Sequence, residues 1–191
     1  MTSREQDEYI ALRATIRARG TARVCVFAAG IVAWAAVTIA AAALAFSPVA
    51  TLLPLLVLGS VFEAVFALHA GVERIGRYLQ VFHETPAPDL PAPAVPQDLP
   101  APVGWEHAAM AFGRPKGAIG LDALFCVPFL LAALFNLAPA LLLNPIPSEL
   151  IFVGGAHALF ALRLIVARQA AGQQRAIDLA RFRQIRTHAG S

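Results

Sequence analysis

The chain has 191 residues, of which 58% are hydrophobic and 14% are charged, and its mean hydropathy is +0.65. A soluble domain of this length usually carries about 25% charged residues, so the composition indicates an integral membrane protein. The start of the chain shows no short apolar core followed by a small-residue cleavage site. We therefore expect the first hydrophobic segment to be a membrane span and not a signal peptide.

Residues 1–20 have the pattern of a basic amphipathic helix on the cytosolic side. Tyr9, Leu12 and Ile16 fall on one helical face, and Gly20 is expected to end this helix. A basic amphipathic helix beside a span usually lies on the membrane surface. The alternative is that the same face packs on a partner or on the protein's own cytosolic helices.

A first transmembrane hairpin is expected over residues 21–84. One uninterrupted stretch of 39 residues in it contains no Asp, Glu, Lys, Arg or His, and a single crossing needs only roughly 20 apolar residues. We place two spans at about 24–46 and 54–74, joined by a turn at Ser47-Pro48. The second helix is expected to run on to His83, which gives it a cytosolic extension.

Residues 85–118 are expected to form a proline-rich cytosolic loop with a short interfacial segment. Seven prolines fall within residues 85–102, which excludes a regular helix and favours an extended, polyproline-like segment. We interpret it as a stiff strap between two hairpins; docking into a partner's groove is the alternative. Trp105 and Phe112, near the end of the loop, predict a short interfacial segment, because aromatic rings gather at the headgroups.

A second transmembrane hairpin is expected over residues 119–168, with spans at about 121–143 and 148–168. The last span is not interrupted by proline, so we expect it to continue as one helix to about Thr187. Residues 169–191 would then form a basic cytosolic C-terminal helix. The prediction is an all-α membrane protein with a four-helix transmembrane bundle.

The basic residues determine the predicted orientation. Of the 15 Arg and Lys residues, five precede the first span, four lie between the second and third spans, and six lie at or beyond the end of the fourth. The two remaining loops, 47–53 and 144–146, contain none. Because positively charged loops stay in the cytosol, both termini and the central loop are predicted to be cytosolic. The expected location is the cell (inner) membrane, with multiple passes.

The two hairpins show an internal similarity. Residues 64–74 and 158–168 are identical at six of eleven positions at an offset of 94 residues. If this reflects a tandem pair of helical hairpins, the bundle has pseudo-twofold symmetry. Otherwise the architecture is an ordinary up-down-up-down bundle.

Four ionisable residues lie within the spans and are candidate functional residues, because such groups are costly in a bilayer. The offset of 94 gives Glu63 and His157 the same depth, and gives His69 and Arg163 a second shared depth. Glu63 and His157 could share a proton, join two helices by hydrogen bonds, or contact another subunit. Hydrogen bonding is the simplest interpretation. Arg163 is expected to reach the inner interface or to pair with an acid of the second span.

A polar stripe follows the second span towards the cytosol. His69, Glu73 and Arg77 are spaced by four residues and therefore share one helical face, expected to point into the bundle or towards another subunit. Arg74 and Arg168 join Glu73 and Arg77 at the inner interface, where ion pairs and anionic lipid headgroups are expected. Two potential ligands on one helix do not make a metal site, so no metal or cofactor is predicted.

The sequence contains no catalytic motif, and the protein is not expected to be an enzyme. The favoured interpretation is an accessory or scaffold subunit of a larger membrane complex, with a protein partner or further copies of itself. One alternative is a small homo-oligomeric transporter or channel that uses the ionisable residues of spans two and four. Another is an inner-leaflet enzyme that acts on lipids through His69 and Glu73. We assign the basic charge to anionic lipids and expect no nucleic acid partner.

Overall fold

Helices make up almost all of the part of the chain described by the computed structural model, which covers residues 2–44, 47–84 and 124–189. No strand occurs in these three ranges. A 3₁₀ turn precedes the second helix, and a π-helical turn extends that helix. The elements are α1 (Ser3–Leu44), the 3₁₀ turn (Pro48–Thr51), α2 (Leu52–Leu79), the π turn (Gln80–Glu84), α3 (Cys126–Leu142) and α4 (Pro147–Ala189).

Three of these helices are long and apolar enough to cross a membrane: α1, α2 with its flanking turns, and α4. The apolar helix α3 is shorter, with 17 residues, and begins at Cys126. The predicted helical fold and its long apolar helices are confirmed. Residues 121–123 and 45–46, at the ends of two predicted spans, lie outside the described residues. So does the predicted proline-rich loop 85–118 with its interfacial segment.

The first helix differs from the prediction. α1 is one helix of 42 residues that continues through Gly20, so the helix end expected there is wrong. A single glycine costs a helix only about 1 kcal/mol relative to alanine, which the residues on both sides can offset. Tyr9, Leu12 and Ile16 are half-buried, and the ring of Tyr9 lies 5.7 Å from the ring of His83. Tyr9 of this face therefore packs on the protein's own α2 extension.

α1 and α2 form an antiparallel hairpin with a close approach at Gly30. Gly30 is the one buried residue of α1 among those described, and a Cβ atom there would overlap the side chain of Val61. Only glycine therefore fits at this crossing without displacing Val61.

α2 is the central helix, because it contacts each of the other three. Its contacts with α4 keep a nearly constant sequence separation, as in the pairs Glu63–Arg163 and Arg77–Asp178, so these two helices run in the same direction. α3 turns sharply into α4 at Asn144, whose φ of 52° is left-handed. Asn tolerates this conformation better than most residues do.

The core contains one phenylalanine from each helix. Phe62 of α2 lies 5.4 Å from Phe129 of α3 and 6.4 Å from Phe160 of α4, both edge-on. Phe27 of α1 meets Phe129 at 5.6 Å, also edge-on. Edge-to-face rings add about 0.5–1.5 kcal/mol beyond their burial, so this cluster holds all four helices together.

Residues that the offset of 94 aligns do not pack equivalently. That offset pairs Val65, which is fully buried, with Leu159, which is 69% exposed. The buried positions of α2 and α4 correspond instead at an offset of 95, which pairs Val65 with Phe160 and Phe62 with His157. The residues that are identical at an offset of 94 therefore do not identify equivalent packing positions.

Candidate functional site

Glu63 and Arg163 form a bidentate ion pair between α2 and α4. The Nε atom of Arg163 lies 2.8 Å from Oε1 of Glu63, and its Nη2 atom lies 2.8 Å from Oε2. The guanidinium also lies 5.1 Å from the centre of the Phe66 ring, within the range of a cation–π interaction. The planar donors of arginine match a carboxylate, so the pair fixes the two helices at this level.

This pair lies at the outer surface of the bundle. The side chains of Glu63 and Arg163 are 51% and 39% exposed. Three exposed residues with small side chains surround Glu63 on α2: Ser60, Ala64 and Ala67. We refer to these five residues as the α2–α4 face. It combines an open ion pair with a backbone that another helix can approach closely.

His157 lies inside the bundle and makes two hydrogen bonds. A carbonyl oxygen only accepts, so Nδ1 of His157 donates to the backbone oxygen of Val153 at 2.8 Å. The Nε2 atom then accepts from Nδ2 of Asn136 at 3.0 Å. The second N–H of Asn136 donates to the backbone oxygen of Thr51 at 2.7 Å. This network joins α3, α4 and the 3₁₀ turn.

The structure does not bring Glu63 and His157 together. Glu63 is bonded to Arg163, and His157 is bonded to Asn136, so the contact needed for direct proton sharing is absent. The reason is that equivalent positions of α2 and α4 are 95 residues apart and not 94. Two residues that are aligned at an offset of 94 therefore point in directions that differ by about 100° around the helix axis. His69 and Arg163, the second aligned pair, are not in contact with each other for the same reason.

His69 is buried and faces α1. The Nη1 atom of Arg23 lies 3.1 Å from Nδ1 of His69, and because a guanidinium only donates, this histidine nitrogen accepts. The contact ties α1 to α2 near the level of the predicted inner interface. Within the described ranges, no group of three or more His, Cys, Asp or Glu side chains is arranged to hold a metal ion.

Arg77 is the centre of a charged cluster further along α2. Its Nη1 atom lies 2.7 Å from Oδ2 of Asp178, and its Nη2 atom lies 3.1 Å from Oε2 of Glu73. Gln174 donates to the other Asp178 oxygen at 2.9 Å. Arg77 is 2% exposed, so two carboxylates neutralise a guanidinium that water barely reaches. We refer to these residues as the Arg77 cluster.

A cavity of about 210 Å³ lies beside the Arg77 cluster, between α2 and α4. It brings together four of the predicted residues: His69, Glu73, Arg74 and Arg77. Arg168, the remaining residue predicted for the inner interface, is exposed on α4 and does not line the cavity. The polar stripe of α2 thus forms one wall of this cavity.

Three residues complete these contacts that the sequence did not single out as site residues: Arg23, Asn136 and Asp178. All three carry a signal in the sequence. Asp178 is the only acidic residue after Glu149, and Arg23 is the basic residue that directly precedes the first apolar segment. A lone acid among arginines on a helix favours a structural ion pair. Asn136 stands in an apolar segment, where a polar amide needs a partner.

No protein-family pattern matches the chain, and no curated protein or solved structure is significantly similar to it. A function for this chain is therefore proposed from its own sequence and structure.

Proposed function

We propose that this protein spans the cell (inner) membrane four times, with both termini in the cytosol, and acts as an accessory or scaffold subunit of a larger membrane complex. The half-exposed Glu63–Arg163 pair carries the proposal, because it indicates that a partner covers the α2–α4 face. The fourth span is α3, whose 17 residues meet the lower end of the range for a crossing helix, roughly 17–25 residues. The one-sided distribution of Arg and Lys supports the orientation.

The depth of the ion pair decides what can cover it. Glu63 stands at the middle of predicted span 54–74, and Arg163 stands about 8 Å further towards the cytosol along span 148–168. A charged side chain at the bilayer centre costs about 2.5–3.5 kcal/mol on insertion scales and more in simulations. Lipid is therefore a poor neighbour for this face, whereas a protein helix with a polar group can satisfy it.

The shape of the surface favours a long helical partner. Ser60, Ala64 and Ala67 let a second helix approach the backbone of α2. Ile177 of α4 is 59% exposed and stands within about 40° of Arg163 around the helix axis. The α2–α4 face therefore continues beyond the predicted span, where lipid tails cannot cover an isoleucine. The partner we propose is a membrane protein with a transmembrane helix that carries a polar side chain near its middle and an apolar cytosolic surface below it.

Cross-linking in the native membrane tests this proposal. A photoreactive amino acid is placed at Ala67, on the α2–α4 face, and at Val32 as the control, because Val32 is 70% exposed on α1. We expect one integral membrane protein to be captured from Ala67 and not from Val32. The same protein must then co-purify in native nanodiscs at a fixed ratio, as measured by mass spectrometry.

A matched pair of variants shows whether the face itself is responsible. Ala64→Trp adds bulk to the α2–α4 face without changing its charge, and Val32→Trp adds the same ring to α1. We expect Ala64→Trp to dissociate the complex and Val32→Trp to leave it intact. A complex that survives Ala64→Trp, or a captured product that contains only this chain, would contradict the accessory role.

A homo-oligomeric transporter or channel is the second candidate. Twofold rotation about the membrane normal would place Glu63 of one copy opposite Arg163 of another, and the resulting ring of four charges could line a path. In this case the product captured from Ala67 has twice the mass of the chain, and Glu63→Gln changes ion flux into liposomes. Among the described residues, His69 and Glu73 are each held by an arginine, which does not favour the lipid-acting enzyme.

A further inference from the structure

The cavity beside the Arg77 cluster lies where the predicted spans end. The spans end at residues 74 and 168, and the cavity lining runs from Phe66 to Arg77 on α2 and from Ala170 to Asp178 on α4. The headgroup layer is about 5–8 Å thick on each side of a bilayer, so the cavity reaches from the inner end of the hydrocarbon core into this layer. Its volume is about 210 Å³. An engineered apolar cavity of about 150 Å³ accepts benzene, so a group slightly larger than benzene fits.

The two ends of this cavity differ in polarity. The end nearer the middle of the bilayer is lined by apolar residues and by His69, whose Nδ1 atom already accepts from Arg23. These apolar residues are Phe66, Ala70, Ala170 and Ala171. The charged lining residues lie nearer the cytosol: Glu73, Arg74, Arg77 and Asp178. A phospholipid of the inner leaflet has the same order, with its hydrocarbon towards the middle and its headgroup towards the cytosol.

The charges around the cavity balance, which argues against a simple anion or cation as its ligand. Two arginines face two carboxylates, and Arg77 and Asp178 satisfy each other. Arg77 lies 2.7 Å from one oxygen of Asp178, and Gln174 donates to the other oxygen. The charges that remain for a ligand are therefore those of Glu73 and Arg74.

Glu73 and Arg74 each offer a group that is not in use. Oε2 of Glu73 accepts from Arg77, whereas its Oε1 atom has no hydrogen-bond partner within the described residues. The Glu73 side chain is 36% exposed, so a ligand can reach this oxygen. Arg74 is exposed and forms no ion pair with any described residue. Neighbouring positions on a helix do not face each other, so these two side chains do not pair, and a molecule with both charges can contact both.

We propose that this cavity binds the headgroup of an inner-leaflet phospholipid that carries a primary ammonium, with phosphatidylethanolamine as the simplest example. The phosphate lies against the guanidinium of Arg74, and the ammonium donates to Oε1 of Glu73. The start of the hydrocarbon packs on Phe66 and Ala170. The Glu73 carboxylate separates this site from the contacts with anionic headgroups that the sequence predicted. The inference rests on the proposed orientation of the spans and not on the accessory role.

Native mass spectrometry of the full chain in detergent tests the site. The chain is titrated with phosphatidylethanolamine, phosphatidylcholine or phosphatidylglycerol with the same acyl chains, and the bound lipid is counted. Phosphatidylcholine has a methylated ammonium without N–H groups, and phosphatidylglycerol has no ammonium. We expect phosphatidylethanolamine to bind about tenfold more tightly than either, because one hydrogen bond between charged groups is worth at least about this factor.

Four variants assign the two contacts and the space. Glu73→Leu should abolish the preference for phosphatidylethanolamine over phosphatidylcholine. Arg74→Gln should weaken the binding of both lipids, because both carry the phosphate. Arg168→Gln is its matched control, since Arg168 does not line the cavity, and it should leave binding unchanged. Ala170→Phe fills the cavity and should abolish the preference, while circular dichroism and gel filtration confirm that each variant folds.

The source of the headgroup and the orientation are tested separately. Soluble glycerophosphoethanolamine should not displace the lipid at an equal concentration, because it lacks the hydrocarbon. A C-terminal tag that is accessible only in inside-out vesicles establishes the orientation independently of lipid binding. Equal binding of the three lipids, tighter binding of phosphatidylglycerol, a preference that survives Glu73→Leu or Ala170→Phe, an equal effect of Arg168→Gln and Arg74→Gln, or displacement by the soluble compound overturns the proposal.

Discussion

Removing the charge of Asp178 should loosen the far end of α4. The Asp178 carboxylate lies 2.7 Å from Arg77, and their side chains are 10% and 3% exposed. Losing one partner of a buried pair typically costs about 3–5 kcal/mol, because the other charge stays buried. In Asp178→Asn the guanidinium still has Glu73, whose side chain is 36% exposed. We therefore expect a smaller cost of about 2 kcal/mol.

Hydrogen exchange of the protein in nanodiscs measures this cost. A loss of about 2 kcal/mol should raise the exchange rate of amides near Asp178 about thirtyfold, because each 1.4 kcal/mol changes an equilibrium tenfold. Asp7→Asn is the matched control, since Asp7 is exposed on α1 and lies far along the chain from this pair. Amides of that control should exchange as in the wild type.

A double-mutant cycle isolates the pair from other effects. Arg77→Met removes the guanidinium that Asp178→Asn deprives of its closest carboxylate, so the double variant should be less destabilised than the sum of the two single variants. The reasoning fails if Asp178→Asn exchanges at the wild-type rate. It also fails if the two substitutions are additive, since Arg77 and Asp178 would then not interact.

Two further predictions concern packing and titration. Gly30→Ala should destabilise the hairpin by about 1–3 kcal/mol through overpacking against Val61, and Val61→Ala in the same chain should restore most of the stability in a thermal-unfolding assay. Burial and the Glu8 carboxylate raise the pKa of Tyr78 to about 12, above the usual value near 10. The folded protein therefore keeps this phenol protonated up to a higher pH than the unfolded chain does. This contribution to stability is present below pH 10 and lost towards pH 12; Glu8→Gln should lower the pKa in an ultraviolet titration of Tyr9→Phe protein.

The sequence could predict which faces of α2 carry polar groups, but not what those groups contact. The four-residue spacing put His69 and Arg77 on one face, and both are buried. Their partners, Arg23 and Asp178, come from other helices, 46 and 101 positions away along the chain. No local pattern contains that information, because it depends on how the helices are rotated against each other.

Helix rotation also explains why the internal similarity does not correspond to equivalent packing. Identical residues of α2 and α4 align at an offset of 94, whereas the buried positions of the two helices align at an offset of 95. One residue is about 100° of rotation, enough to move Leu159 to the surface and Phe160 into the core. Apolar segments draw on few residue types, so identities between them can fall on faces that pack differently.

The same limit applies to the close approach of α1. Alanines 29 and 33 form part of a small-residue row that suggests a helix contact, but both are exposed. The contact with α2 is made at Gly30, one position away. Small residues show that a close approach is allowed, but they do not show which of them makes it.

The contacts between helices are unevenly distributed along the bundle. Four polar contacts join α1, α2 and α4 at the end that carries the Arg77 cluster: Arg13 with Glu84, Glu8 with Tyr78, Arg77 with Asp178, and Arg186 with the backbone oxygen of Val81. At the other end, the Asn136 network is the polar link among the described helices, and a cavity separates α1 from α3. Helices fixed at one end can change their spacing mainly at the other.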